Sequence, residues 1–185
     1  MDDAASILLI DSWKDQAALD RQGKYMLDNG VNYFDTSPVY CRGESEKALG
    51  TALAHSGYDR GDYVIATKLS NFSNSSKENS IRMYHSSLKN LQTDYIDYYL
   101  LHMLTDIDTW QRLTDMGIVQ WLEEKKRSGA IRQVGFSYHG NSDMFCKLAL
   151  DIENQYADAD TSALQDAPND RISRWIRLYC ANPAV

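Results

Sequence analysis

Five times along the chain a short apolar run gives way to a longer stretch in which apolar residues recur every three or four positions. The runs cover residues 6–10, 31–35, 63–68, 96–102 and 131–137, and the periodic stretches cover 13–29, 44–56, 77–92, 109–128 and 143–150. The runs are rich in β-branched and aromatic residues and predict strands; the spacing of the others predicts amphipathic helices. Asn29-Gly30 and Gly129 supply helix stops, Arg60-Gly61-Asp62 a turn, and residues 71–76 a polar loop. After Leu150 the regularity weakens. Residues 152–156 predict a sixth strand, 157–169 a polar linker, and 170–180 a helix whose Ile172, Trp175, Ile176 and Tyr179 form one apolar stripe.

Strands alternating with helices at a repeat of about 30 residues imply right-handed crossovers and a parallel sheet covered by helices. A (β/α) barrel and an open doubly wound sheet both have that pattern. The ends of the strands separate them. Asp35, Lys68 and His102 each stand where a successive strand stops, the face on which a barrel builds its site. A dinucleotide-binding open sheet would carry G-x-G-x-x-G after its first strand, and the chain has no such pattern. The expectation is α/β: an incomplete TIM-type barrel of five to six βα units over residues 1–156, followed by a linker and an amphipathic C-terminal helix over 157–185.

Composition narrows the partners. The 185 residues carry a formal net charge of −7, which disfavours nucleic acid and anionic membrane surfaces. The apolar run at 7–10 is too short for a signal segment or a membrane span, so a cytoplasmic protein is expected. Cys41, Cys146 and Cys180 are odd in number and lack C-x-x-C spacing, which reads as free thiols with neither disulfide nor metal site.

The strand ends suggest a reaction. Pro38 breaks the strand that ends at Asp35 and Tyr40 follows in the turn, so an acid and a phenol share one strand mouth. A carbonyl reduced by hydride needs a proton on its oxygen, and a phenol supplies one at neutral pH only where a cation stabilises the phenolate. Lys68 is the candidate cation, Asp35 its counter-charge, and His102 the group that hydrogen-bonds the substrate oxygen. Singly, each has an ordinary reading: a turn acid, a surface aromatic, a strand-end charge, a core histidine.

Asp35-Thr36-Ser37-Pro38-Val39-Tyr40, Ala66-Thr67-Lys68 and Leu100-Leu101-His102 together resemble the catalytic tetrad of the aldo-keto reductases, NAD(P)H-dependent barrel oxidoreductases. Gly43 to Gly50, Ser87 to Asp97 and Gly129 to Ser137 resemble further stretches of that family, and the likeness covers residues 15–156. It implies catalytic Asp35, Tyr40, Lys68 and His102, with Ser137 and Gln155 at the nicotinamide carboxamide. It also implies NADPH (NADP) as cofactor and a small carbonyl compound as substrate. Tyr138-His139 after the fifth strand resembles the iron-sulfur-associated branch, whose C-terminal cysteine cluster the chain lacks.

A complete (β/α)8 barrel takes about 250 residues and commonly builds its phosphate site after strands seven and eight. The resemblance therefore implies a truncated member that binds NADP weakly and whose open sheet edges need covering, by the helix at 170–180 docking on its own barrel or, in a homo-oligomer, by a second copy of the chain. The alternative function is a catalytically silent barrel fragment serving as an interaction module.

Overall fold

The structure is a computed structural model, and it describes residues 15–72 and 76–159. Helix α1 (Gln16–Asp28) begins where the Asp15 carboxylate accepts the Ala18 N–H at 3.0 Å. Gly30, at φ 85, lets the chain leave α1 and enter β1 (Tyr33–Asp35). Helix α2 (Ser45–Ala54), β2 (Val64–Leu69), α3 (Lys77–Asn90) and β3 (Ile96–Leu101) follow, each close to its sequence-predicted span. Then come α4 (Ile107–Asp115), α5 (Ile118–Arg127), β4 (Ile131–Phe136) and α6 (Ser142–Ala159).

The four described strands are all parallel and pair in chain order, β1 with β2, β2 with β3, β3 with β4. A doubly wound sheet reverses its order at a switch point, whereas a barrel adds each new strand beside the last. The fold is thus α/β with part of a TIM-type barrel, as the strand ends suggested. The strand expected at 6–10, the expected linker beyond residue 159 and the helix at 170–180 lie outside the described residues, while the linker's first residues, 157–159, are the end of α6.

Two expectations need correction. The helix expected over 109–128 is two helices, because Gly117 adopts φ 70 between them; the stripe of Trp110, Leu113, Val119 and Leu122 runs across the break and hides it. The helix at 143–150 and the strand at 152–156 are one helix, α6. Leu148 and Ile152 are both buried in the main core and Phe145 packs against it, a spacing that only a continuous helix puts on one face. Gln155 therefore belongs to a helix and not to the mouth of a sixth strand.

The main core lies between β2, β3, β4 and the helices from α3 onward, with Tyr84 meeting Tyr99 and Trp121 edge-on at 5.5 and 5.3 Å between centroids. At the N-terminal end of the sheet, buried Asp97 accepts from Arg60 at 2.6 Å, Arg132 at 2.8 Å and the Ile65 N–H at 2.9 Å. Both guanidinium groups also stack on Tyr95, at 4.0 and 4.2 Å. That end is closed by charge pairing. The opposite end carries the loops.

Candidate active site

Asp35 is the last residue of β1. The backbone stays with the sheet for one more step, Thr36 N–H donating to Ala66 O at 2.9 Å, before Pro38 turns it away. A tight turn over Tyr40–Gly43 follows, in which Cys41 and Arg42 take left-handed φ of 51 and 59, sparsely populated conformations for side-chain-bearing residues. The turn leaves Tyr40 at the rim, 38% exposed.

Lys68 rises from β2 beneath it. Only 4% exposed, it has its Nζ donating to Asp35 Oδ1 at 2.5 Å and to the Thr36 carbonyl at 2.9 Å. The same ammonium lies 4.6 Å from the centroid of the Tyr40 ring. Its attraction to the Asp35 carboxylate opposes a larger effect, burial, which pushes the Asp35 carboxyl above its usual range.

His102 follows directly on β3, its N–H donating to Leu69 O at 3.1 Å. Its ring stands edge-on to Tyr40, centroids 5.7 Å apart, and Phe72 leans on it at 5.0 Å. Burial, then the positive charge of Lys68, then His139, bring the imidazole down to about 4, so it is neutral at physiological pH. Nδ1 lies 2.6 Å from Ser70 Oγ and 3.3 Å from Ser37 Oγ.

The structure thus gathers Asp35, Tyr40, Lys68 and His102. Ser137, one residue past β4, stands at the same end of the sheet; its N–H donates to Leu101 O and its Oγ accepts the Met103 N–H, both at 2.9 Å. Gln155 is not brought in by a strand, since α6 carries it. Sequence reasoning missed Ser37, Ser70 and Phe72 around His102. Ser37 lies between Asp35 and Tyr40 and Ser70 two residues beyond Lys68, but only their contact with His102 marks them.

Elsewhere the ordinary readings hold: His55 faces Asp20 at 2.7 Å on the surface, and Lys125 to Arg127 end α5. Cys41 and Cys146 are free thiols, and Cys180 lies outside the described residues. Among the described residues no group of three or more His, Cys, Asp or Glu could hold a metal ion, and no helix is long and apolar enough to cross a membrane.

The model of the aldo/keto reductase family matches residues 12–181. The chain belongs to that family. Methylglyoxal reductase DkgB of Salmonella typhi is 35% identical to it over 114 residues, 62% of this chain and 40% of that protein. A probable voltage-gated potassium channel subunit beta of Arabidopsis thaliana is 36% identical over 81 residues, 40% of this chain and 25% of the other. Among solved aldo-keto reductases, the holo form from Bacillus halodurans superposes with a TM-score of 0.55 at 36% identity, over 67% of this chain and 42% of that one. One from Klebsiella pneumoniae in complex with NADP and acetate gives 0.51 at 30% identity, over 69% and 43%. The chain spans two-fifths or less of the length of these two curated relatives.

Proposed function

We propose that the cluster reduces a small aldehyde or ketone to the alcohol, with NADPH as hydride source. One arrangement carries the reading: a buried ammonium, neutralised by Asp35, pressed against the ring of a rim tyrosine, with a neutral imidazole beside it. A bound nicotinamide would supply the hydride. Tyr40 donates its hydroxyl proton to the carbonyl oxygen as negative charge gathers there. The Lys68 ammonium stabilises the charge left on the phenol, and Asp35 and the Thr36 carbonyl fix that ammonium in place. His102, neutral and tethered at Nδ1, has Nε2 available as a hydrogen-bond donor that orients the same oxygen.

Ser137 suits a nicotinamide carboxamide. Its Oγ already accepts the Met103 N–H, which leaves its own hydrogen to donate to an amide oxygen.

The test is consumption of NADPH with methylglyoxal, the compound named for the Salmonella relative. Tyr40→Phe should lower turnover by at least about a hundredfold, the lower range for a positioned general acid. A variant that reduces methylglyoxal at the parent rate would show that Tyr40 is not the donor.

A second reading, a binding module without turnover, draws on the likeness to the Arabidopsis channel subunit. It predicts no consumption of NADPH with any aldehyde.

A further inference from the structure

The reading of His102 as a hydrogen-bond donor depends on which ring nitrogen holds its proton, and two serines outside the acid-base cluster bear on that. Ser37 is fully buried and Ser70 is 6% exposed. Their hydroxyl oxygens lie 3.0 Å apart, and both face Nδ1 of His102. Ser37 Oγ also accepts the Val39 N–H at 3.4 Å, a turn contact that can run in only one direction because an amide nitrogen has no lone pair to offer.

The protons can then be counted. If Nδ1 carried the hydrogen it would donate to Ser70 Oγ, the nearer oxygen, and Ser70 would donate to Ser37. Ser37 Oγ would hold two incoming hydrogen bonds, and its own hydrogen would have no acceptor among the described contacts; were Ser37 to donate to Ser70 instead, the Ser70 hydrogen would be the one left over. Either way a buried hydroxyl hydrogen goes without an acceptor, which disfavours that tautomer. The reverse order satisfies every hydrogen: Val39 N–H to Ser37 Oγ, Ser37 O–H to Ser70 Oγ, Ser70 O–H to Nδ1. The bypass from Ser37 directly to Nδ1 at 3.3 Å has the same consequence.

We propose that Ser37 and Ser70 are positioning residues, a buried hydroxyl relay that makes Nδ1 an acceptor and so fixes the proton of His102 on Nε2. The relay acts on substrate only through His102. It deepens the reduction proposed above, since a neutral imidazole orients a carbonyl oxygen only from a nitrogen that bears hydrogen. Its geometry crosses the sheet end: Ser37 follows β1, Ser70 follows β2 and His102 follows β3.

The test is the tautomer itself, read from the imidazole nitrogen chemical shifts of the full chain labelled with 15N-histidine at neutral pH. The four histidines are resolved by assigning His102 through the signal lost in His102→Gln. Needing neither cofactor nor substrate, this readout is separate from the test of reduction. The parent should show the Nε2–H form. Ser70→Ala should lower the ratio of Nε2–H to Nδ1–H about tenfold, the weight of one hydrogen bond at the upper end of its usual range, and Ser70→Thr should restore it. Ser37→Ala should give a smaller fall, since Ser70 still reaches Nδ1. A parent in the Nδ1–H form overturns the relay, whatever the variants do. So does a chain carrying both Ser37→Ala and Ser70→Ala, which leaves Nδ1 neither hydroxyl, that keeps the parent ratio.

Discussion

Replacing Asp35 with Asn would strand a buried cation. Lys68 is 4% exposed, and without the Asp35 carboxylate its ammonium keeps the Thr36 carbonyl, at 2.9 Å, and the Tyr40 ring, but no counter-charge. Breaking a buried pair from one side costs about 3–5 kcal/mol. The Asp35 side chain is 30% exposed, so screening reduces the expected loss to about 2–3 kcal/mol. At about 2–4 °C per kcal/mol for a chain of this size, Asp35→Asn should melt about 4–12 °C below the parent. Asp35 is not there for its own sake. Burial raises its carboxyl above the ordinary range, so the group's own contribution to stability is full at pH below that range and is lost as pH rises through the raised value. At neutral pH its ionised form is a cost, offset by what it does for Lys68. Asp35→Asn combined with Lys68→Met removes the orphan as well and should recover most of the loss. Urea denaturation of the parent, both single variants and the double variant gives the coupling directly. The reasoning is refuted by an Asp35→Asn chain with the parent's midpoint, or by a double variant no more stable than Asp35→Asn alone.

Three further outcomes are expected. His102 has its pKa lowered from 6.5 to about 4, so its contribution to stability is present above 6.5 and is lost as pH falls toward 4; a His102→Gln chain should show a flatter urea midpoint across that window, with Lys68, His139 and Tyr40 the titratable groups facing the ring. Asp97→Ala takes the acceptor from the buried Ile65 N–H and one hydrogen bond from Arg60, which keeps the Tyr63 and Tyr95 carbonyls, while Arg132 is half exposed; it should cost about 1–3 kcal/mol in the same assay, with Asp94→Ala as the surface control. NADPH should bind with a dissociation constant above the micromolar range by fluorescence titration, because the one cofactor contact proposed for this chain is a neutral hydroxyl, whereas each charge-assisted phosphate contact contributes about 1.5–3 kcal/mol; a tighter constant would mean that phosphate ligands have gone unrecognised.

Asp35, Lys68 and His102 were legible because each interrupts an apolar run, and a polar residue that ends a run must sit where the sheet ends. Tyr40 was legible through Pro38, which fixes the turn. Ser37 and Ser70 were not, since a serine in a loop is ordinary in both composition and spacing. Their meaning comes from contact with His102, 65 and 32 residues away. The fold follows the same division. Strand positions were readable from apolar runs between glycine stops, but residues 152–156, with Ile152 and Tyr156 flanking three polar residues, are too short for periodicity to assign, and packing of Leu148 and Ile152 against the core decided for helix. Gly117 was visible in the sequence, yet the apolar stripe continued through it.

The residues of the cluster need only three neighbouring strands. β1, β2 and β3 pair directly, with Asp35 beside Ala66 and Lys68 beside Leu100, so the distances among Asp35, Tyr40, Lys68 and His102 are set by two strand pairings and one turn. Ser137 joins through β4, the third pairing, and its Oγ reaches back to the Met103 N–H in the loop after β3. Under the reduction proposed above, Tyr40 and Ser137 therefore differ in how far a substitution reaches. Tyr40→Phe removes a proton and leaves the strand pairings intact. A substitution at Ser137 also frees the Met103 N–H, and Met103, at φ 55, adjoins His102. Loss of the Ser137 hydroxyl should thus disturb both cofactor affinity and the orientation of His102, whereas loss of the Tyr40 hydroxyl should disturb only the proton transfer.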